Sequence, residues 1–340
     1  MSFFFRMKRT SVLLLAFFCG LLFSCSSPSR YITHEGFTQG TTYKIIYDSP
    51  GGINYEEDIQ LLLNQFSASL STYIPTSLIS RINRNDSSAV VDQYFRTVFD
   101  KAAEVTKASG GVFDITIAPI VNLWGFGFTS DFPEIDPTKI DSLLQFVGMD
   151  KVRISGDKVI KDSPGVMLDV NAIAKGYSVD VVGDFLKEKG CVNYLVDIGG
   201  EAVARGVNDT GYTWRVGIDR PADHALPGAA LQAIIRLNNR ALATSGNYRR
   251  FFEIDGVKYA HSIDVKTGYP VRNNLLSATI LASDCITADA WATVCMVSGL
   301  NKSIEILRQH PELDGFLIYN EDGIDRVFIT DGLQDVINAR

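Results

Sequence analysis

The stretch Asp284-Cys-Ile-Thr-Ala-Asp-Ala-Trp-Ala-Thr293 follows a predicted strand, Leu275 to Ala282, and lies in a predicted helix near 286–299. Positions four apart on a helix lie one above the other, so Asp289 and Thr293 present a carboxylate and a hydroxyl to the same point. Oxygen ligands of this kind suit a hard cation such as Mg²⁺. The stretch therefore predicts a strand–helix unit that carries one side of a metal site.

A second oxygen-rich segment, Leu168 to Tyr177, opens another predicted helix over 172–189. The start of a helix offers free amides and the positive end of its dipole, which suit an anionic phosphate, and Lys175 adds a positive charge. A backbone carbonyl of this segment can complete the metal shell. In the structural alternative, Asp169 or Asn171 caps the helix and Lys175 lies on a solvated face. Together the two segments suggest a Mg²⁺ site for phosphate chemistry.

The rest of the chain mixes helical and strand periodicities. Apolar spacing predicts further helices over Glu56 to Leu70, Tyr94 to Ala108, Pro137 to Val147 and 301–309, and a final short helix. Alternation predicts strands over Thr41 to Tyr47, Asn193 to Val196, Thr213 to Ile218, Ala230 to Leu237, 314–319 and 325–330. We therefore expect an α+β fold of mixed sheets with packed helices, in which 36–340 form one large domain of two intimate lobes.

The N-terminal segment has the pattern of a secretory signal. Three basic residues precede an apolar run, Val12 to Phe23, which is too short to span a membrane comfortably. The run ends in Leu-Phe-Ser-Cys25, which resembles a bacterial lipobox, so Cys25 would be lipidated; the alternative is ordinary cleavage near Ser24. We expect residues 1–24 to be the signal and 25–35 a lipidated tether, on an exported lipoprotein anchored to the membrane and facing the periplasm.

The composition excludes several classes of function. The formal net charge is −7, and removal of the basic signal makes the mature chain more acidic, which disfavours nucleic-acid binding. After loss of the signal and lipidation, the remaining cysteines are Cys191, Cys285 and Cys295, too few for a disulfide framework. We expect them to be buried thiols. No Cys or His has zinc-ligand spacing, so a zinc site is not expected.

Two glycine-rich segments can approach a ligand. In Ser109-Gly-Gly-Val-Phe-Asp114, the glycines allow close backbone contact, Asp114 can accept hydrogen bonds from a heterocycle or sugar, and Phe113 can form an apolar wall. The alternative is a helix end that leads into a strand, with Asp114 capping the next turn. Asp197-Ile-Gly-Gly-Glu201 is a second glycine turn after a strand, and by itself it does not distinguish a ligand site from an ordinary turn.

The segment Ala260 to Pro270 contains a candidate proton acceptor. The imidazole of His261 titrates near neutral pH and can take a proton from an attacking hydroxyl, although a structural histidine is the alternative. Asp264 can serve the same purpose or fix the turn through an Asx bond.

Five motifs in this order resemble the ApbE family of FAD:protein FMN transferases. They are Gly110 to Asp114, Asp169 to Tyr177, Asp197 to Glu201, His261 to Pro270 and Thr287 to Thr293. The resemblance implies a T-fold-related α+β fold. It also implies a reaction that splits the pyrophosphate of FAD, passes FMN to a threonine hydroxyl of another protein and releases AMP.

The resemblance further implies the site residues. Mg²⁺ would be held by the side chains of Asp289 and Thr293 and by backbone oxygens of Ala172 and Ala292. His261, or else Asp264, would assist deprotonation of the threonine. FAD would be bound by Gln39, Tyr73, Val112, Phe113, Asp114, Asp169, Lys175 and Ile263. The implied partners are exported flavoprotein subunits, such as those of the Na⁺-pumping NADH:quinone oxidoreductase or the Rnf complex.

Two alternatives use the same pocket. A Mg²⁺-dependent FAD pyrophosphatase would admit water instead of threonine, and a bulky Tyr73 packed on the flavin favours transfer over hydrolysis. A non-catalytic surface lipoprotein would bind FAD without turnover.

Overall fold

The computed structural model describes residues 30–128, 137–221, 230–247, 251–254 and 257–339. The predicted signal segment and Cys25 lie outside the described residues. Among the helices that are described, none combines the length and the apolar character needed to cross a membrane.

The described residues form helices and strands in alternating groups. The helices are α1 (Glu56–Leu70), α2 (Leu78–Asn83), α3 (Gln93–Ala108), α4 (Ala118–Leu123), α5 (Pro137–Leu144), α6 (Ala174–Glu188), α7 (Cys285–Ser298) and α8 (Leu300–Gln309). The first strands are β1 (Arg30–Thr38), β2 (Thr41–Ser49), β3 (Val152–Ser155), β4 (Lys158–Lys161), β5 (Tyr194–Ile198), β6 (Glu201–Arg205), β7 (Trp214–Asp219) and β8 (Leu231–Leu237). They are followed by β9 (Ala241–Gly246), β10 (Phe251–Ile254), β11 (Val257–Ala260), β12 (Leu275–Ala282), β13 (Asp314–Glu321), β14 (Ile324–Ile329) and β15 (Ile337–Ala339).

An eight-stranded antiparallel sheet is the centre of the fold, with the strand order β1-β2-β5-β6-β9-β12-β13-β14. Successive residues of a strand point to opposite faces, so neighbours such as Ala243 and Leu242 enter different cores. One core lies between the sheet and the helices. The other lies between the sheet and a small sheet of order β15-β8-β7. The α+β class and the single domain are therefore confirmed.

A third, smaller core lies beside the main layers. It is formed by α4, α5 and the segment after β11, with Trp124, Ile140 and Ile263 buried together. The indole Nε1 of Trp124 donates a hydrogen bond to the carbonyl of Gly268 at 2.8 Å, which ties the 261–270 segment to this core.

Helices α6 and α7 cross closely at Gly176. A Cβ at this position would meet the carbonyl oxygen of Cys285 and lie 2.7 Å from the Cβ of Asp289. The absence of a side chain also lets the Gly176 N–H donate to Asp289 Oδ2 at 2.8 Å. The crossing therefore fixes the carboxylate of Asp289 as well as the distance between the helices.

The start of α7 is held by two carboxylates. Asp284 Oδ1 accepts the N–H of Thr287 at 3.0 Å, as an N-cap does. The two oxygens of Asp180, on α6, accept the N–H groups of Cys285 and Ile286, each at 2.8 Å. Three amides that lack a partner within the helix are satisfied in this way.

Two terminal predictions are corrected by the structure. The segment 30–35, expected within a tether, belongs to β1, which pairs with β2 from Arg30 opposite Ser49. The final short helix is wrong: a 3₁₀ turn at Asp331–Leu333 is followed by β15, where Ile337 pairs with Ile235 of β8. At the C-terminal end, pairing with a distant strand overrides the local pattern. At the N-terminal end, β1 pairs with the next strand across the turn at Gln39 and Gly40.

We expect Gly176→Ala to destabilise the protein by about 1–3 kcal/mol, because the added methyl overpacks the helix crossing. Gly183→Ala, on the same helix, is the matched control: its nearest neighbour would be Val203 Cγ1 at 3.1 Å, and alanine favours the helix. Urea denaturation of both variants checks this. Equal midpoints for the two variants would contradict a steric requirement at Gly176.

Candidate active site

A cavity of about 380 Å³ lies where α6, α7, the end of β9 and the 112–117 and 261–265 segments meet. It brings together most of the residues predicted from the sequence. Those that line it are Val112, Phe113, Asp114, Asp169, Ala172, Lys175, His261, Ile263, Asp289 and Thr293.

Four predicted residues do not line this cavity. Gln39 is exposed in the turn between β1 and β2, with a φ of 50°, and the Tyr73 side chain is 55% exposed. Ala292 is buried within α7. Asp264 Oδ1 accepts the N–H of Lys266 at 2.8 Å, so the Asx bond considered above is present. Their roles toward FAD, metal or the acceptor stay predictions.

Asp289 and Thr293 have free oxygens at the cavity wall. Asp289 is 5% exposed, and in the described part of the chain its Oδ1 and the Thr293 hydroxyl have no hydrogen-bond partner. Burial raises the pKa of Asp289, while Lys175 and the Gly176 N–H oppose this rise. A buried carboxylate with a free oxygen beside a free hydroxyl fits a hard divalent cation.

A metal ion in this cavity would need ligands other than carboxylates. The described residues contain no group of three or more His, Cys, Asp or Glu that can hold a metal ion. Asp289 must therefore be joined by neutral oxygens such as the Thr293 hydroxyl and a backbone carbonyl. Mg²⁺ tolerates such a set because it usually keeps several waters and binds substrate phosphates.

An ion pair lies at the cavity wall near Asp289. Lys175 Nζ lies 2.6 Å from Glu201 Oε2, and Glu201 is 2% exposed. Burial by itself would lower the pKa of Lys175, but Glu201 and Asp289 outweigh this effect and raise it. Lys175 therefore carries its positive charge into the cavity.

A tight turn positions Glu201. Gly199 and Gly200 join β5 to β6 and have φ angles of 68° and 100°. A type I′ hairpin turn requires positive φ at both central residues, which glycine adopts without strain. The Gly-Gly pair therefore makes a close hairpin, and Glu201 is the first residue after it.

Asp114 is occupied within the protein. Its Oδ1 accepts the N–H and the hydroxyl of Thr116 at 2.8 and 2.6 Å, and its Oδ2 accepts the N–H of Met149 at 3.0 Å. Burial raises its pKa against these bonds. The geometry agrees with the alternative in which Asp114 caps a turn, although the residue still lines the cavity.

His261 lines the same cavity. Its ring packs edge-on against Phe126, with the centroids 6.3 Å apart, and the neighbouring Ser262 hydroxyl donates to Asn247 Oδ1 at 2.7 Å. Thr244 and Ser245, from β9, add hydroxyls to the wall. An imidazole that lines the cavity can exchange a proton with a bound hydroxyl.

The family comparison agrees with this arrangement. The ApbE family model matches residues 39–317. A curated FAD:protein FMN transferase of Vibrio cholerae is 36% identical over 311 residues, which cover 89% of this chain and 92% of the relative. One of Haemophilus influenzae is 36% identical over 315 residues, with 88% and 90% covered.

The chain belongs to the ApbE family.

The fold comparison gives the same result. The solved flavin transferase ApbE from Vibrio cholerae superposes with a TM-score of 0.80 at 33% identity, over 91% of this chain and all of that chain. The apo flavinyl transferase ApbE of Pseudomonas stutzeri gives 0.80 at 29% identity, over 91% and 97%. The expected ApbE-like fold is therefore confirmed.

Some residues of this ApbE-family site carry no role in the sequence-based account. Glu201 lies in the motif Asp197 to Glu201, but the sequence predicts no function for it. The sequence also predicts no role for Asp180, which holds the start of α7. A signal existed for Glu201, because a carboxylate directly after a Gly-Gly hairpin is fixed in position. No local signal identifies Asp180, whose partners lie 105 and 106 positions along the chain.

We expect Asp180→Asn to remove a pH-dependent part of the stability. Burial raises the pKa of Asp180 to about 7, with Asp284 and Asp184 adding to the rise and the two amides opposing it. A raised pKa stabilises the folded state fully below the unfolded pKa, and this contribution is lost as the pH rises through about 7. The wild type should therefore lose stability relative to Asp180→Asn between about pH 5 and about pH 8.

Guanidinium denaturation of both proteins at the two pH values measures this change. A difference in unfolding free energy that is the same at both values would contradict the burial of an Asp180 that titrates near neutral pH.

Proposed function

We propose that the chain transfers FMN from FAD to a hydroxyl group of another protein and releases AMP. The observation that carries the proposal is one cavity that joins Asp289, Thr293, Lys175 and His261, in a chain whose relatives are named FAD:protein FMN transferase. The acceptor oxygen forms a bond to the phosphorus of the FMN half. The bond from that phosphorus to the bridging oxygen breaks, and AMP leaves with the electron pair.

Residues of α6 and α7 would bind the pyrophosphate end of FAD. Asp289 Oδ1, the Thr293 hydroxyl and the carbonyl of Ala172 are the proposed ligands of Mg²⁺, with Ala292 as a further backbone ligand. When bound, Mg²⁺ would neutralise the negative charge that develops on the pyrophosphate oxygens. Lys175 adds a second positive charge near the start of α6, where the helix dipole also favours an anion.

Residues of the 112–113 and 261–263 segments would bind the flavin and accept the proton. Val112, Phe113 and Ile263 supply apolar surface for a flat ring. His261 is the proposed proton acceptor, because it lines the cavity, whereas Asp264 is bonded within its own turn. Taking the proton as the bond to phosphorus forms would keep the attacking oxygen nucleophilic.

The acceptor and the location are also proposals. A threonine of an exported flavoprotein, such as a subunit of the Na⁺-pumping NADH:quinone oxidoreductase or of the Rnf complex, is the proposed target. Cys25 would anchor the protein to the membrane on the periplasmic side, together with such exported targets.

We expect Asp289→Asn to lower the rate of FMN transfer by at least about 100-fold, the typical loss when one preorganised electrostatic group is removed. Mass spectrometry of an acceptor domain that carries a threonine site, incubated with the full-length protein in detergent, FAD and Mg²⁺, measures the adduct. Asp322→Asn, in an exposed turn, is the control and should keep the wild-type rate.

The same incubation separates the alternatives. Free FMN and AMP without an adduct would indicate a pyrophosphatase, and FAD that stays bound and intact would indicate a binding protein. Undiminished transfer by Asp289→Asn would remove Asp289 from the proposed metal site.

We expect Cys25→Ser to shift the protein from the membrane fraction to the soluble or unprocessed fraction, because the lipid anchor is lost. Metabolic labelling with a fatty acid should label the wild type and not this variant. Cys19→Ser, within the apolar run of the signal, is the matched control and should keep the label. Labelling of Cys25→Ser would contradict lipidation at this position.

A further inference from the structure

Glu201 is a buried carboxyl group in the wall of the cavity, where the ammonium of Lys175 favours its charged form against the effect of burial. It follows the Gly199-Gly200 hairpin, and only 2% of the residue is exposed. The ammonium of Lys175 lies 2.6 Å from its Oε2. Stability does not explain this pair, because the cost of removing two charges from water roughly cancels their attraction.

The pair belongs to a group of three charges from three elements. Glu201 comes from β6, Lys175 from α6 and Asp289 from α7, and the two carboxylates both act on the one ammonium. Asp289 is also the proposed metal ligand. An ammonium that moved onto Asp289 Oδ1 would occupy the position that a divalent cation needs.

The position of the Lys175 ammonium determines which group in the cavity it can bind. The contact with Glu201 is an ion pair, and Glu201 Oε2 accepts no hydrogen bond of good geometry. The N–H donors of the ammonium are therefore available to a phosphate in the cavity as long as the ammonium is held at the wall. Without the carboxylate of Glu201, the ammonium is still attracted by Asp289 and Asp197, and only Asp289 is a proposed metal ligand.

We propose that Glu201 is a positioning residue that holds the Lys175 ammonium toward the flavin nucleotide phosphate and away from Asp289. The inference rests on the proposed function, because it concerns the same site. It assigns Glu201 no contact with substrate or metal, so all of its effects must pass through Lys175.

The first measurement compares Glu201→Gln with the wild type in binding alone. FAD affinity, followed by flavin fluorescence without metal, should fall by about tenfold, as expected when a hydrogen bond to a charged group is lost. Mn²⁺ affinity, followed by electron paramagnetic resonance without FAD, should also fall by about tenfold, because Lys175 then competes for Asp289. Unchanged affinities for both ligands would overturn the proposal.

The decisive measurement repeats the substitution in a Lys175→Met background. If Glu201 acts through Lys175, then Glu201→Gln should change the affinities for FAD and Mn²⁺ by less than about twofold there, as a double-mutant cycle requires. An equal loss in both backgrounds would show that Glu201 acts directly on the metal or on FAD, and would overturn the proposal.

Folding is controlled within the same set of variants. If Glu201→Gln alone does not fold, the double variant still tests the claim, because it buries two neutral side chains in place of the ion pair. Its FAD affinity is then compared with that of Lys175→Met. Equal FAD affinity of these two variants supports the proposal, and a further loss in the double variant overturns it.

The binding measurements do not depend on turnover, so the two proposals can fail separately. If the wild type makes no adduct but the affinities follow the predicted double-mutant cycle, FMN transfer is rejected and the role of Glu201 is retained. Normal FMN transfer with wild-type binding by Glu201→Gln would reject only the role of Glu201.

Discussion

The crossing of α6 and α7 at Gly176 is the contact on which the site depends. Because position 176 has no side chain, its backbone N–H reaches Asp289 Oδ2, and the other carboxylate oxygen is left for the cavity. The same crossing places Lys175 one residue away from this bond. The proposed metal ligand and the proposed phosphate-binding cation thus lie beside one backbone contact between two helices.

Electrostatics make this arrangement useful and also costly. Four buried carboxyl groups share the cavity wall with the ammonium of Lys175, and burial raises the pKa of one of them, Asp289. Carboxylates in such surroundings favour a bound cation, since the cation offsets the charge that burial penalises. The central sheet fixes the position of Glu201 at the start of β6, directly after a glycine hairpin.

Local patterns predicted the parts of the site that lie on single helices. The spacing of Asp289 and Thr293 is a property of one helix, and the α+β class follows from periodicities along the chain. The partners of Lys175 could not be predicted in this way, because Glu201 reaches it through the strand pairing of β5 and β6. The short strands β3, β4, β10 and β11 were missed because four residues are too few to establish a period.

The central claim is that Asp289 and Thr293 bind one cation beside the FAD phosphates. Anomalous X-ray scattering from crystals grown with FAD and Mn²⁺ tests it most directly. The account predicts an anomalous peak within about 2.2 Å of Asp289 Oδ1 and of the Thr293 hydroxyl, with phosphate oxygens completing the shell. A peak bound only by other residues, or FAD phosphates bound at this wall without any metal peak, would contradict it.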